Sequence, residues 1–122
     1  MKSLGTTVLL LLCVLVLAFL NFHYVNDTIA EMKDQMSRLP DIGNKECAAY
    51  TKGIDEFWRS KEAILEITIP YPLIDRVCEQ ASLLCACVEG GDVYGFYNAR
   101  ALLLDALEDL SRSEQVCLRT LL

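Results

Sequence analysis

Histidine is nearly absent from this sequence. His23 is the only one among 122 residues, so histidine-containing catalytic triads, histidine-rich metal sites and the Glu-x-x-His pairs of di-iron proteins are almost all excluded. Basic residues are in the minority, since 17 Asp and Glu stand against 11 Lys and Arg and give a net charge of −6. Nucleic-acid binding needs a basic surface that releases counterions, and this balance argues against it.

Charged residues are missing from a long N-terminal stretch. No Asp, Glu, Lys or Arg lies between Lys2 and Asp27, and residues 8–20 are an unbroken apolar run. A bilayer core of about 30 Å is crossed by roughly 20 helical residues, and residues 4–24 supply 21. We therefore expect a transmembrane anchor within residues 1–25, with the lipid bilayer as its partner.

A cleaved signal peptide is the alternative explanation of this run. Signal peptidase prefers small residues at −3 and −1, and Ala18-Phe19-Leu20 places leucine at −1. A lipoprotein signal needs a small residue before Cys13, where Leu12 stands. These mismatches favour an uncleaved, single-pass anchor. Cleavage would instead release a secreted, disulfide-stabilised helical factor.

The charges that flank the anchor say little about its orientation. Lys2 and the amino terminus on one side nearly balance Lys33 and Arg38 on the other, so the positive-inside rule gives almost a tie. A short tail before a long apolar run usually stays in the cytoplasm. We expect a cell-membrane protein whose remaining residues lie outside the cytoplasm.

Proline and glycine are absent from residues 19–39, so the anchor helix is expected to continue beyond the membrane. We call residues 26–44 the stalk; they comprise this part of the helix and the turn that follows it. The apolar residues of the stalk step by three and four, which places them on one face: Val25, Ile29, Met32, Met36 and Leu39. This stripe needs a cover, either from later helices of the same chain or from a second copy. The short turn at residues 39–44 favours the first.

Residues 45–122 are expected to form an antiparallel helical bundle. One helix is predicted for residues 45–66, and another begins at Pro72, where a missing N–H costs nothing, and stops at Gly90-Gly91. A further helix, capped by Asp92, carries Phe96, Ala99, Leu103, Leu107 and Leu110 on one face. Ser111 and Glu114 fit a capping box that would start a separate last segment; one continuous helix is the alternative. The predicted fold class is all-α, an N-terminal transmembrane helix that continues into an antiparallel helical bundle.

Cysteine is the one reactive residue type that is plentiful. Cys13 lies in the anchor, which leaves five candidates for disulfides: Cys47, Cys78, Cys85, Cys87 and Cys117. Cys85 and Cys87 are two positions apart, about 200° around a helix, which suits neither a zinc site nor a redox Cys-x-x-Cys motif. Packing thiols are favoured, with one or two structural disulfides as the alternative. No cofactor or metal is expected.

The aromatic residues beyond the anchor are the remaining candidates for a site. Trp58 is expected to be the main aromatic residue of the bundle core. Tyr94, Phe96 and Tyr97 either pack beside it or form a surface for a partner. No catalytic constellation is present, so we expect a non-enzymatic protein-interaction module at the membrane surface. Its expected partner is another membrane protein or a second copy of the chain.

The order of features also resembles a known family. An apolar anchor and an acidic stalk precede Trp58-Arg59-Ser60-Lys61-Glu62, an Ile74-Asp75 pair, a loop near Gly90-Gly91-Asp92 and an Ala/Leu-rich helix. This resembles a bacterial family of small single-anchor helical membrane proteins of Gram-positive anaerobes and spore formers, a domain of unknown function. The resemblance covers most of the chain but implies no activity, so it assigns no catalytic residue. This sequence departs from the family pattern in its many cysteines and fewer lysines.

Overall fold

The computed structural model describes residues 2–121, which form four helices and no strand within that range. The helices are α1 (Lys2–Ser37), α2 (Cys47–Leu65), α3 (Tyr71–Gly90) and α4 (Val93–Leu121). The predicted all-α fold class is confirmed. The β-prone stretch Ile67-Thr68-Ile69 forms a turn, because two nearby prolines and the lack of a partner strand leave it nothing to pair with.

The four helices form a square, up-and-down bundle. Helix α1 packs against α2 and α4, and α3 packs against the same two, while no contact within the described residues joins α1 to α3. Short turns make sequential neighbours antiparallel, and α4 returns alongside α1. The α1–α2 and α3–α4 turns therefore lie at the end away from the N-terminal half of α1. The α2–α3 turn and the end of α4 lie beside it.

The first half of α1 is exposed and apolar. It is the one helix among the described residues that is long and apolar enough to cross a membrane. The second half buries one face against the other helices. All five residues of the predicted stripe are at most 7 % exposed, so the chain covers its own stalk. The sequence predicts a stalk (residues 26–44) and a separate bundle (residues 45–122). In the structure their buried residues form one hydrophobic core.

The helix ends follow from local chemistry. Gly91 ends α3 in the left-handed conformation (φ 67°), which glycine adopts without a steric penalty. Asp92 caps α4, since its Oδ1 accepts the Gly95 N–H at 2.9 Å. Helix α4 continues unbroken past Ser111 and Glu114, so the separate last segment is not formed. No glycine or proline follows Gly95, and Glu114 turns into the bundle, 7 % exposed, instead of capping a new helix.

Candidate interaction surfaces

The structure separates the four candidate aromatic residues into two pairs. Trp58 and Phe96 are fully buried, whereas Tyr94 is 88 % and Tyr97 44 % exposed. Core packing therefore accounts for Trp58 and Phe96. Only Tyr94 and Tyr97 are available to a partner.

Tyr94 and Tyr97 lie at the end of the bundle far from the anchor. Together with Val93 and Asn98 they line a shallow hollow at the start of α4, which we call the distal surface. Val93 is also exposed, at 52 %. Aromatic and aliphatic side chains that are open to water in this way are typical of surfaces that bind other proteins.

The α3–α4 turn sets the position of the distal surface. A Cβ atom at Gly95 would overlap the Asp92 carboxylate and come within 2.8 Å of Cys87 Sγ. Glycine at this position lets the first turn of α4 pack closely against the end of α3. Phe96 then points into the core, and Tyr94, two positions earlier, points away from it.

A hydrogen bond orders Tyr97. Its hydroxyl donates to Asp41 Oδ1, 3.2 Å away in the α1–α2 turn. The negative charge of Asp41 is the main cause that raises the pKa of Tyr97, with a smaller contribution from burial. The phenol therefore stays neutral and links the start of α4 to the α1–α2 turn. A tyrosine that is already ordered loses less conformational entropy when a partner binds.

The opposite end of the bundle contains a cavity of 350 Å³, lined by anchor residues within 14–22 and by Thr68, Glu114 and Cys117. Thr68 Oγ1 donates to Asn21 Oδ1 at 3.0 Å, which ties the α2–α3 turn to α1. Burial raises the pKa of Glu114, because a carboxylate loses hydration there. A largely apolar cavity beside an apolar helix has the character of a lipid contact and offers no pair of groups for acid–base catalysis.

Four of the cysteines pack within the bundle, whereas Cys13 and Cys117 are exposed. All six are free thiols, so the structure pairs none of the candidates Cys47, Cys78, Cys85, Cys87 and Cys117. Cys78 Sγ accepts the Trp58 indole N–H at 3.0 Å, and Cys85 donates to the Thr51 carbonyl at 3.3 Å. Burial is the main cause that raises the pKa of Cys47, Cys78, Cys85 and Cys87. These four therefore remain protonated at neutral pH, which makes them poor nucleophiles and poor metal ligands.

Cys78 gives the bundle a predicted sensitivity to alkali. Burial, followed by its contact with Glu62, raises the pKa of Cys78 from 9.0 to about 11. Between these values the folded chain keeps a proton that the unfolded chain has lost, so raising the pH favours unfolding. We expect the free energy of unfolding to fall from pH 9 towards pH 11, and to fall less in Cys78→Ser. Urea titrations at several pH values measure both slopes; equal slopes in the two chains would contradict the prediction.

Acidic side chains other than the buried Glu114 are exposed or half-buried, and several of them form ion pairs. Arg76 pairs with Asp109 at 2.5 Å between α3 and α4, and Arg59 pairs with Asp55 at 3.0 Å within α2. Among residues 2–121, no group of three or more His, Cys, Asp or Glu side chains is placed to hold a metal ion.

Comparison with known proteins gives no further guide. No protein family, curated protein or solved structure matches the chain. Its function is therefore inferred from its own geometry.

Some exposed residues were not predicted to be part of a surface. Val93 and Asn98 complete the distal surface, and Ile64, Ile67 and Tyr71 are exposed near the anchor, at 50 %, 78 % and 63 %. The exposure of Ile67 could have been predicted from the sequence. Ile67 is a large apolar residue in a turn, where polar residues and glycine predominate, and no helical periodicity assigned it to the core.

Proposed function

We propose that the chain is a membrane-anchored, non-enzymatic helical module that presents a protein-binding surface away from the bilayer. One observation carries the proposal. The exposed tyrosines lie at the end of the bundle opposite to the apolar half of α1. A chain fixed in the membrane by one end would thereby hold Tyr94 and Tyr97 where a second protein can reach them.

Retention of the anchor is supported by two features of α1. Its leucines and valines between residues 8 and 20 are 36–65 % exposed, an apolar surface that a bilayer would cover and water would not tolerate. The helix also passes without interruption through residues 20–25, where cleavage would fall. Asn21, within this stretch, accepts the hydrogen bond from Thr68. Removal of the anchor would therefore also remove this contact with the α2–α3 turn.

The proposed location is the cell membrane, with a single crossing and the bundle outside the cytoplasm. Membership of the bacterial single-anchor family remains a prediction, and it would add no activity to the proposal.

The proposed partner is another membrane protein that binds the distal surface. Tyrosine suits such a contact because it combines a large apolar ring with a hydrogen-bonding hydroxyl. Tyr97 is already held by Asp41, while Tyr94 is free to enter a pocket on the partner. A second copy is the other partner considered. The buried stalk stripe is unavailable as a dimer seam, so a second copy would have to use an exposed surface, of which the distal surface is one.

Site-specific photocrosslinking in membranes tests this proposal. A photoreactive phenylalanine replaces Tyr94 in one chain and Tyr50 in another; Tyr50 is a matched control, an exposed tyrosine (42 %) on α2. We expect one protein to be captured through position 94 and not through position 50. Tyr97→Ala should weaken this capture by about tenfold or more, because truncating a hot-spot tyrosine costs about 2 kcal/mol or more and 1.4 kcal/mol is already tenfold.

The mass of the crosslinked product identifies the partner. Twice the mass of the chain would indicate a second copy, and any other mass a different protein. Equal capture through positions 50 and 94, or capture that is insensitive to Tyr97→Ala, would contradict a specific distal surface. Loss of the first 20 to 25 residues from the purified native chain, measured by intact mass, would contradict the anchor.

A further inference from the structure

The α2–α3 turn presents an unusual apolar surface. Ile67 is 78 %, Tyr71 63 % and Ile64 50 % exposed. Ile69, only two residues after Ile67, is 4 % exposed and belongs to the core. Packing of the bundle thus accounts for Ile69 and leaves the other three without a cover.

The turn lies at the level where the anchor leaves the membrane. The hydrogen bond between Thr68 and Asn21 places it beside α1. Asn21 is three residues before Tyr24, the last residue of the 21-residue span, and at 1.5 Å per residue this is about 5 Å along the helix axis. If residues 4–24 cross the hydrocarbon core, the turn is therefore at its outer boundary.

The end of α4 reaches the same level from another side. Glu114 and Cys117 share the membrane-end cavity with anchor residues 14–22. Val116, between them, is 61 % exposed. Two separate elements thus place exposed apolar side chains at the membrane end of the bundle, and a flat bilayer would cover both together with the anchor.

The polar residues next to the turn suit the headgroup layer. Lys61 lies one to two helical turns before it, with Nζ 5.4 Å from the Tyr24 ring centroid. The aromatic ring and the ammonium group together are typical of residues at a membrane interface. Glu62 on α2 and Glu66 in the turn lie nearby, so the turn has no basic excess. Attraction to anionic lipid is therefore not the basis of the contact; burial of apolar area is.

We propose that the α2–α3 turn inserts Ile64, Ile67 and Tyr71 into the interfacial layer of the bilayer. The inference rests on the proposed membrane anchoring and adds a second lipid contact to it. A single helix would leave the bundle free to tilt. Two contacts on different sides of the bundle axis fix its tilt, and so direct the distal surface away from the membrane.

Quenching of tryptophan by brominated lipid tests the contact. The full chain is reconstituted in phosphatidylcholine vesicles whose acyl chains carry bromine near the headgroup end. Three variants each add one tryptophan: Ile67→Trp in the turn, Tyr94→Trp as the matched exposed control, and Phe19→Trp in the anchor. Trp58 is fully buried, and its emission is measured in the unaltered chain and subtracted. Far-ultraviolet circular dichroism verifies that each variant is folded.

The expected result is that Ile67→Trp and Phe19→Trp lose most of their added emission, while Tyr94→Trp loses almost none. Quenching of Phe19→Trp but not of Ile67→Trp would overturn the inference and leave the anchor intact. If aqueous iodide also fails to quench Ile67→Trp, a second copy covers the turn instead of lipid. If Phe19→Trp is not quenched, or the chain does not float with the vesicles, the proposed anchoring itself is wrong.

Discussion

Replacing Trp58 with alanine is expected to destabilise the bundle more than truncation of any other single side chain in the described part of residues 26–121. The indole is fully buried and donates a hydrogen bond to Cys78 Sγ. Its removal leaves a large cavity and deletes the hydrogen bond that Cys78 Sγ accepts, and such truncations typically cost about 3–5 kcal/mol. This is a large share of the roughly 5–15 kcal/mol that stabilises a domain. Urea unfolding followed by circular dichroism at 222 nm (the usual helical band) measures the loss.

Tyr94→Ala is the matched control, because it removes an aromatic side chain that is 88 % exposed. It should change the free energy of unfolding by no more than about 0.5 kcal/mol. If Trp58→Ala shifted the midpoint by as little as Tyr94→Ala, the indole would not be in the core. A strong effect on partner capture with no effect on stability would make Trp58 a binding residue.

The predicted stripes show why so much of the fold was accessible from sequence. Phe96, Ala99, Leu103, Leu107 and Leu110 repeat at helical spacing, and every one is completely buried. The stalk stripe is buried in the same way. A run of apolar residues at steps of three and four defines one face, and in a chain of four helices with short turns that face has only the bundle interior to occupy.

The aromatic residues near the start of α4 show what hydrophobic periodicity alone cannot predict, namely which side chain faces the core. Tyr94 and Tyr97 lie about 200° and 100° from Phe96 around a helix, so spacing alone does not decide whether Tyr97 reaches the buried face. The rotation of α4 decides the matter. It is fixed by the Asp92 cap and by the close approach of Gly95 to Cys87, and the second of these depends on a contact with another helix.

Contacts between distant residues were the least predictable part of the candidate site. Thr68 and Asn21 are 47 positions apart in sequence, and Tyr97 and Asp41 are 56 apart. A local sequence pattern cannot connect residues so far apart. The Trp58–Cys78 hydrogen bond is of the same kind. The sequence predicts that the Cys78 thiol packs in the core, but its particular partner depends on the register between α2 and α3.

Removal of the stalk is expected to abolish cooperative folding. A fragment of residues 26–122 keeps nearly all of the buried half of α1, whereas a fragment of residues 45–122 has none of it. The shorter fragment loses two of the four helix pairs, α1–α2 and α1–α4. It also loses the buried side chains of Ile29, Met32, Met36 and Leu39. Each such side chain contributes about 1.5–3 kcal/mol on burial, so the total is comparable to the whole stability of a small domain.

Thermal unfolding by circular dichroism compares the two fragments directly, since both lack the apolar anchor and can be handled without detergent. Residues 26–122 should unfold in one cooperative transition. Residues 45–122 should show a broad, non-cooperative loss of helix and should bind a dye for exposed apolar surface. A sharp transition in the shorter fragment at the same temperature would mean that α2, α3 and α4 form a complete core alone. Because the stalk stripe supplies one wall of the square bundle, we expect the anchor helix to be a folding element of the module as well as its tether.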